Sequence, residues 1–191
     1  LWLGFHTCDQ QTYFDMIDGY VSAFEQVARG HQDPRIVVRA KGRKDPDRKV
    51  TLLIGNGSGH EPIAMGFVGA GLLDANVVGD VFAAPSADLI LDGIREVSGK
   101  AGCILLISQH SGDMINGRAA VMLAEEERLR VRALPMYDDI SSAPRDRIQD
   151  RRGAPGTMFI YKILGAAAEA GMPLDDLMAL GRAVRARTVT L

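Results

Sequence analysis

Apolar residues recur along this chain with two different periods, and the switches between them delimit its elements. Across residues 11–29, Phe14, Ile17, Val21, Phe24 and Val27 fall on one helical face, and Gly30 supplies a stop signal. RIVVRA (35–40) then reads as a short extended segment, and KGRKDPDRK (41–49) as a solvated, proline-containing loop. VTLLIG (50–55) is a continuous apolar run of strand length, the pattern of a strand buried on both faces. Residues 63–72 predict a short helix or ordered turn, and residues 75–79 a small strand. A helix opens at Pro85 or Ser86, with Asp88 in its first turn and Leu89, Ile90 and Ile94 behind it.

The second half repeats this alternation. GCILLIS (102–108) is another buried strand, QHSGDMING its exit loop, and the helix that follows ends near Arg128. LRVRALPMY (129–137) reads as a third strand with Asp138 and Asp139 at its carboxyl end. The charged, Pro/Gly-rich residues 141–156 predict a mobile surface loop, residues 157–171 an apolar helix, and residues 173–187 a helix with proline in its first turn. The last four residues, TVTL, look like the start of a strand. No internal repeat or low-complexity segment interrupts the series.

Strand and helix alternate, so the expected fold class is α/β: a mostly parallel sheet with helices on both faces. Ligands in such sheets collect at the carboxyl ends of the strands. Three exits, GNGSGHEP (55–62), QHSGD (109–113) and YDD (137–139), are therefore expected to meet at one pocket.

Bulk composition narrows the function classes. At 191 residues the chain suits a single domain, and 47% hydrophobic against 24% charged residues is the globular range. A net charge of −2 gives no basic surface for nucleic acid or an anionic membrane. No run reaches the ~20 apolar residues of a membrane helix. Cys8 and Cys103 stand far apart in no metal spacing and read as reduced thiols of a cytoplasmic protein. The opening LWLGFHTCDQQ lacks both a signal-peptide pattern and an initiator Met, so the chain reads as a fragment or a processed product.

Chemistry concentrates at the glycine turn. Gly55, Gly57 and Gly59 alternate after a strand, which lets backbone N–H groups approach a ligand. The register matches neither a P-loop, which ends Gly-Lys-Ser/Thr, nor GxGxxG, nor the Gly-x-Ser-x-Gly of a serine hydrolase. His60 beyond the turn can accept and return the proton of a hydroxyl. Its neighbour Glu61 diverges from it and suits a structural role. Asp113 reads either as an N-cap or, across a shared pocket from His60, as the second member of an acid/base pair. Asp80, Asp138 and Asp139 suit caps and turns better than a magnesium site. His110 either lines the pocket or stands by. Arg151 and Arg152 read as solvated, with a phosphate clamp as the alternative.

Several ordered blocks together resemble the substrate-binding K domain, or K subunit, of the dihydroxyacetone (glycerone) kinases. GNGSGHEPIAMGFVGAGLLDANVVGDVFAAPSADLIL is similar to that family's Ser-Gly-His-Glu-Pro block and the segments after it. ILLISQHSGDMIN resembles its Thr-Gly-Asp-x-x-Asn loop, and RRGAPGTMFIYKILGAAAEAG its Arg-Arg-Gly-x-x-Gly-Thr segment. The likeness runs from about residue 12 to the end. It implies that residues 1–191 are one K-type domain, the first lobe, truncated at its C-terminus. It also implies a phosphotransferase acting on a small hydroxyketone, with Gly57, Ser58, Gly59, His60 and Asp113 binding the substrate and His60 and Asp113 as the catalytic acid/base residues.

The same resemblance implies that no cofactor or metal binds this domain. ATP-Mg, or ADP-Mg rephosphorylated by a phosphotransferase-system protein, sits on a separate nucleotide-binding L-type domain or subunit, and the K domain forms a homodimer. Two departures bear on activity. The family holds its ketone covalently on a second, downstream histidine, and no histidine follows His110 here. Ser108 stands where the family often has lysine, and Gln109-His110 replaces Asn-Tyr. These changes imply another ketose such as erythrulose, or another polyol. The alternative reading is a non-catalytic ketose-binding or regulatory module of the same fold.

Overall fold

The computed structural model describes residues 10–191; Cys8 lies outside them. After helix α1 (Gln10–Ala23) come strands β1 (Val27–Arg29), β2 (Ile36–Arg39), β3 (Thr51–Ser58) and β4 (Ala75–Val81). Helix α2 (Ala87–Val97), strand β5 (Cys103–Ile107), helix α3 (Ser111–Glu126) and strand β6 (Val131–Pro135) alternate next. Helices α4 (Thr157–Glu169) and α5 (Leu174–Arg185) close the chain. The six strands form one sheet in the order β1-β2-β4-β3-β5-β6. β4, β3, β5 and β6 pair in parallel, while β1 and β2 add an antiparallel edge.

Alternate residues of the central strands feed two cores. Leu52, Ile54, Ile104 and Leu106 face α1, α4 and α5 with Ile17, Ile160, Leu164 and Leu177. Leu53, Val77, Leu105 and Ile107 face α2 and α3 with Ile90, Ile94, Ala120 and Ala124. Both faces of β3 and β5 are thus covered, which is why Leu52–Ile54 and Cys103–Ile107 are unbroken apolar runs. Cys103 lies fully buried in β5, and burial pushes its thiol up to about 12. No helix among the described residues is long and apolar enough to cross a membrane.

Three local expectations change. The first helix stops at Ala23 rather than Arg29, because Val27, Ala28 and Arg29 pair with Arg39, Val38 and Val37 of β2. Sheet pairing overrides the helical spacing of Val27. The loop 41–49 is not solvated throughout. Lys49 is buried, its Nζ 2.6 and 2.7 Å from the carboxylate oxygens of Asp74, which also accepts the Leu52 N–H at 2.9 Å. Residues 141–156 carry a short 3₁₀ helix (Arg145–Asp150) and a buried Arg151, whose Nε donates to the Ala143 carbonyl at 2.8 Å. The closing TVTL makes a single parallel bridge, Thr190 to Asp139.

Asp74 therefore holds the start of β3 against β4. In Asp74→Ala the buried Lys49 ammonium is left with the more distant Glu169 carboxylate at 3.9 Å, and we expect a loss of about 3 kcal/mol, the low end for a broken buried pair. Denaturant unfolding of the two proteins checks this.

Candidate functional site

β3 lies between β4 and β5, so the chain leaves β3 toward one edge of the sheet and leaves β5 toward the other. A crevice opens above that switch point. On its β3 side, Gly57 passes so close to the next loop that a Cβ there would lie 2.8 Å from the backbone N and O of Ala83. Only glycine allows this approach. Asn56 braces the turn: its Nδ2 donates to the Gly57 carbonyl at 2.9 Å, and its Oδ1 accepts from Asn76 at 2.7 Å. The Glu61 carboxylate accepts the Gly59 N–H at 2.9 Å, the structural role expected of it. His60 is exposed at the rim, edge-on to the Phe82 ring at 5.0 Å between centroids.

On the β5 side, α3 begins three residues earlier than Met114, the first residue of its apolar pattern, and Asp113 enters the first turn, 8% exposed. A carboxylate is favoured there by the helix dipole. Ser108 Oγ donates to Asp113 Oδ2. His110 Nδ1 stands 3.6 Å from that oxygen and 3.5 Å from Ser108 Oγ. His110 thus lines the pocket and does not stand by.

The third wall is not the one expected. Tyr137, Asp138 and Asp139 do not line the cavity; Gly153, Ala154, Pro155, Thr157 and Tyr161 do. Asp138 is 1% exposed and serves as an anchor for that wall. Its carboxylate accepts the N–H groups of Ala154 (3.0 Å) and Gly156 (2.9 Å) and the hydroxyl of Thr190 (2.8 Å). Gln109, at φ +61°, ties the same segment to β5 by donating to the carbonyls of Gln149 and Arg151 at 2.7 and 2.6 Å. Arg151 is a buried strut rather than a solvated or phosphate-facing group, while Arg152 is exposed.

The cavity measures about 750 Å³ and brings Gly57, His60 and Asp113 together. Ser58 and Gly59 lie outside its lining. Ser58 is buried, with a hydroxyl that has no hydrogen-bond partner among the described residues. Among the described residues, the lining holds two imidazoles and two carboxylates and no lysine or arginine. No group of three or more His, Cys, Asp or Glu among the described residues is placed to hold a metal ion.

A model of the Dak1 domain matches residues 18–191. The chain belongs to the Dak1 domain family. The dihydroxyacetone-binding subunit DhaK of PTS-dependent dihydroxyacetone kinase 1 from Listeria innocua is 39% identical over 181 residues, 95% of this chain and 54% of that protein. The crystal structure of the Citrobacter freundii dihydroxyacetone kinase superposes with a TM-score of 0.85 at 36% identity, over 96% of this chain and 33% of that one. The dihydroxyacetone kinase operon co-activator Dha-DhaQ superposes with a TM-score of 0.80 at 30% identity, over 88% of this chain and 51% of that one. The chain thus spans between about a quarter and about half of the length of the relatives it matches.

In this Dak1 chain, sequence reasoning missed Asn56, Thr157 and Tyr161 as cavity residues. Thr157 and Tyr161 lie far along the chain from either glycine-bearing loop, inside a helix whose pattern reads only as core. The one available signal was the pair of hydroxyls at helical spacing on an otherwise apolar face.

Asp138→Ala strips the acceptor from two backbone N–H groups at once. We expect a loss of about 2–4 kcal/mol, from the cost of leaving such groups unpaired, and faster amide exchange at Ala154 and Gly156. Denaturant unfolding and hydrogen exchange followed by NMR check the two effects.

Proposed function

We propose that this Dak1 chain is the substrate-binding part of a dihydroxyacetone-type kinase, which phosphorylates a small hydroxyketone. The observation that carries the reading is the meeting of Gly57, His60 and Asp113 in one cavity at the sheet's switch point. The family membership and the kinase relatives support it.

In this reading the Gly57 turn lets the hydroxyketone approach the backbone, with the neighbouring Ser58 and Gly59 backbone completing the cradle. Asp113 accepts from a substrate hydroxyl. Its carboxylate has about four lone-pair sites, and the Ser108 hydroxyl occupies one. His60 takes the proton from the attacking hydroxyl as its oxygen bonds to phosphorus and the bond from phosphorus to the donor breaks. Glu61 is committed to Gly59 N–H and is not the base. A lining without lysine or arginine leaves neutralisation of the phosphoryl charge to the donor's own side. An L-type partner carrying ATP-Mg, or ADP-Mg recharged by a phosphotransferase-system protein, fits that division. The setting is the cytoplasm.

A second reading is a non-catalytic ketose-binding module, favoured by the likeness to the operon co-activator. Both readings bind ketose; only the first moves phosphate when an L-type partner and donor are supplied.

Isothermal titration of the chain, and of the full-length protein containing it, with dihydroxyacetone and related ketoses is expected to give binding at millimolar concentrations or below. No heat from any of them in either protein refutes the substrate class. In the full-length protein, His60→Asn should lower phosphoryl transfer by about 10²–10⁴ while thermal stability is kept. Unchanged turnover would remove His60 from the mechanism.

A further inference from the structure

The cavity has a rim and a floor of different character. His60, Phe82, His110 and Gly112 form an exposed rim. Ile54, Thr157 and Tyr161 line the same space yet are 1%, 2% and 1% exposed, so they form its enclosed floor. The floor is not purely apolar. Thr157 and Tyr161 stand one turn apart on α4 and project hydroxyls on the same helical face.

The Thr157 hydroxyl is near enough to the Tyr161 phenol to act on it. Each hydroxyl offers one donor and two acceptor sites. Both residues line the cavity while buried, so these sites face the enclosed end of the space. Buried phenols ordinarily find a partner. The Tyr161 ring is also held in place: it packs against Phe67 at 5.8 Å between centroids, on the side of the 3₁₀ turn Met65–Phe67. Burial raises the phenol's pKa, and the carboxylates of Asp138 and Asp113 raise it further, so the hydroxyl stays a neutral donor.

Depth and volume set what fits. About 750 Å³ is the scale of pockets for drug-sized ligands, well beyond a three-carbon ketose. A three-carbon ketose at His60 and Asp113 fills only part of that volume, which leaves room for a ligand with further hydroxylated carbon.

We infer that Thr157 and Tyr161 are specificity-determining residues, a second hydroxyl-recognition point that selects ketoses longer than dihydroxyacetone. This rests on the reading of the cavity as a hydroxyketone site. The class selected has at least one more hydroxylated carbon, as in erythrulose, with its distal hydroxyl paired to the Thr157–Tyr161 couple.

Isothermal titration of the full-length protein containing this chain with dihydroxyacetone and with erythrulose tests it. Tyr161→Phe removes one oxygen and keeps the ring; Thr157→Val removes the other hydroxyl at nearly constant volume. Wild type is expected to bind erythrulose more tightly than dihydroxyacetone. Each variant is expected to lose roughly 3- to 10-fold for erythrulose, the worth of one neutral hydrogen bond, and less than about 2-fold for dihydroxyacetone. Equal losses for both sugars, or no loss for erythrulose, overturn the assignment while leaving the hydroxyketone site standing. A wild-type full-length protein that binds neither sugar overturns that site and this inference with it. Should Tyr161→Phe fail to fold, Thr157→Val reads the same pair.

Discussion

Parallel pairing of β3 with β4 on one side and β5 on the other constrains everything that follows. Neighbouring parallel strands cannot be joined by a tight turn, so each tip must hand the chain to a longer excursion. The excursion from β3 runs through the glycine turn toward β4, and that from β5 through Ser108–His110 into α3. They diverge, and the space between them is the cavity. The backbone amides and side chains at those tips are the ones available to a ligand. The apolar residues below, Leu52 to Ile54 and Ile104 to Leu106, are locked between two helical layers and hold the tips in register.

Two buried carboxylates stabilise opposite ends of this arrangement. Asp74 sits at the amino end of β3, neutralising Lys49 and capping Leu52. Asp138 sits at the carboxyl end of the sheet and gathers three donors from the segment after β6 and from Thr190. Each is costly to bury alone and is retained with its partners satisfied. Their effects differ in kind. Asp74 sets where β3 starts against β4, whereas Asp138 sets where the third wall of the cavity stands. A charged, Pro/Gly-rich segment that would otherwise be a mobile loop becomes part of a binding site, because a carboxylate, a glutamine and a buried arginine satisfy its backbone.

Within the cavity, hydrogen bonding divides the labour among similar side chains. Glu61 is occupied by Gly59 N–H and Asp113 is partly occupied by Ser108, while the His60 ring stands edge-on to Phe82. Carboxylates and imidazoles close in sequence thereby differ in how much hydrogen-bonding capacity they have left for a ligand. The hydroxyls of Thr157 and Tyr161 belong to buried residues at the floor, where a matched ligand group is worth more than at the exposed rim.

Local sequence determined the sheet's central strands, the helix starts at Ser86 and Pro173, and the convergence of the glycine turn with the Ser-Gly-Asp loop. Those features rest on short-range physics: apolar runs that must be covered, caps that satisfy N–H groups, and glycine where the chain passes close to itself. Tertiary structure alone decided that Val27 leaves its helix for β2, that Lys49 is buried, that Asp138 turns away from the ligand space, and that Thr157 and Tyr161 floor it. Each of those outcomes depends on a partner 10 or more residues away: Arg39 for Val27, Asp74 for Lys49, Ala154 and Gly156 for Asp138. No periodicity within a segment reports the group that will be waiting across the fold.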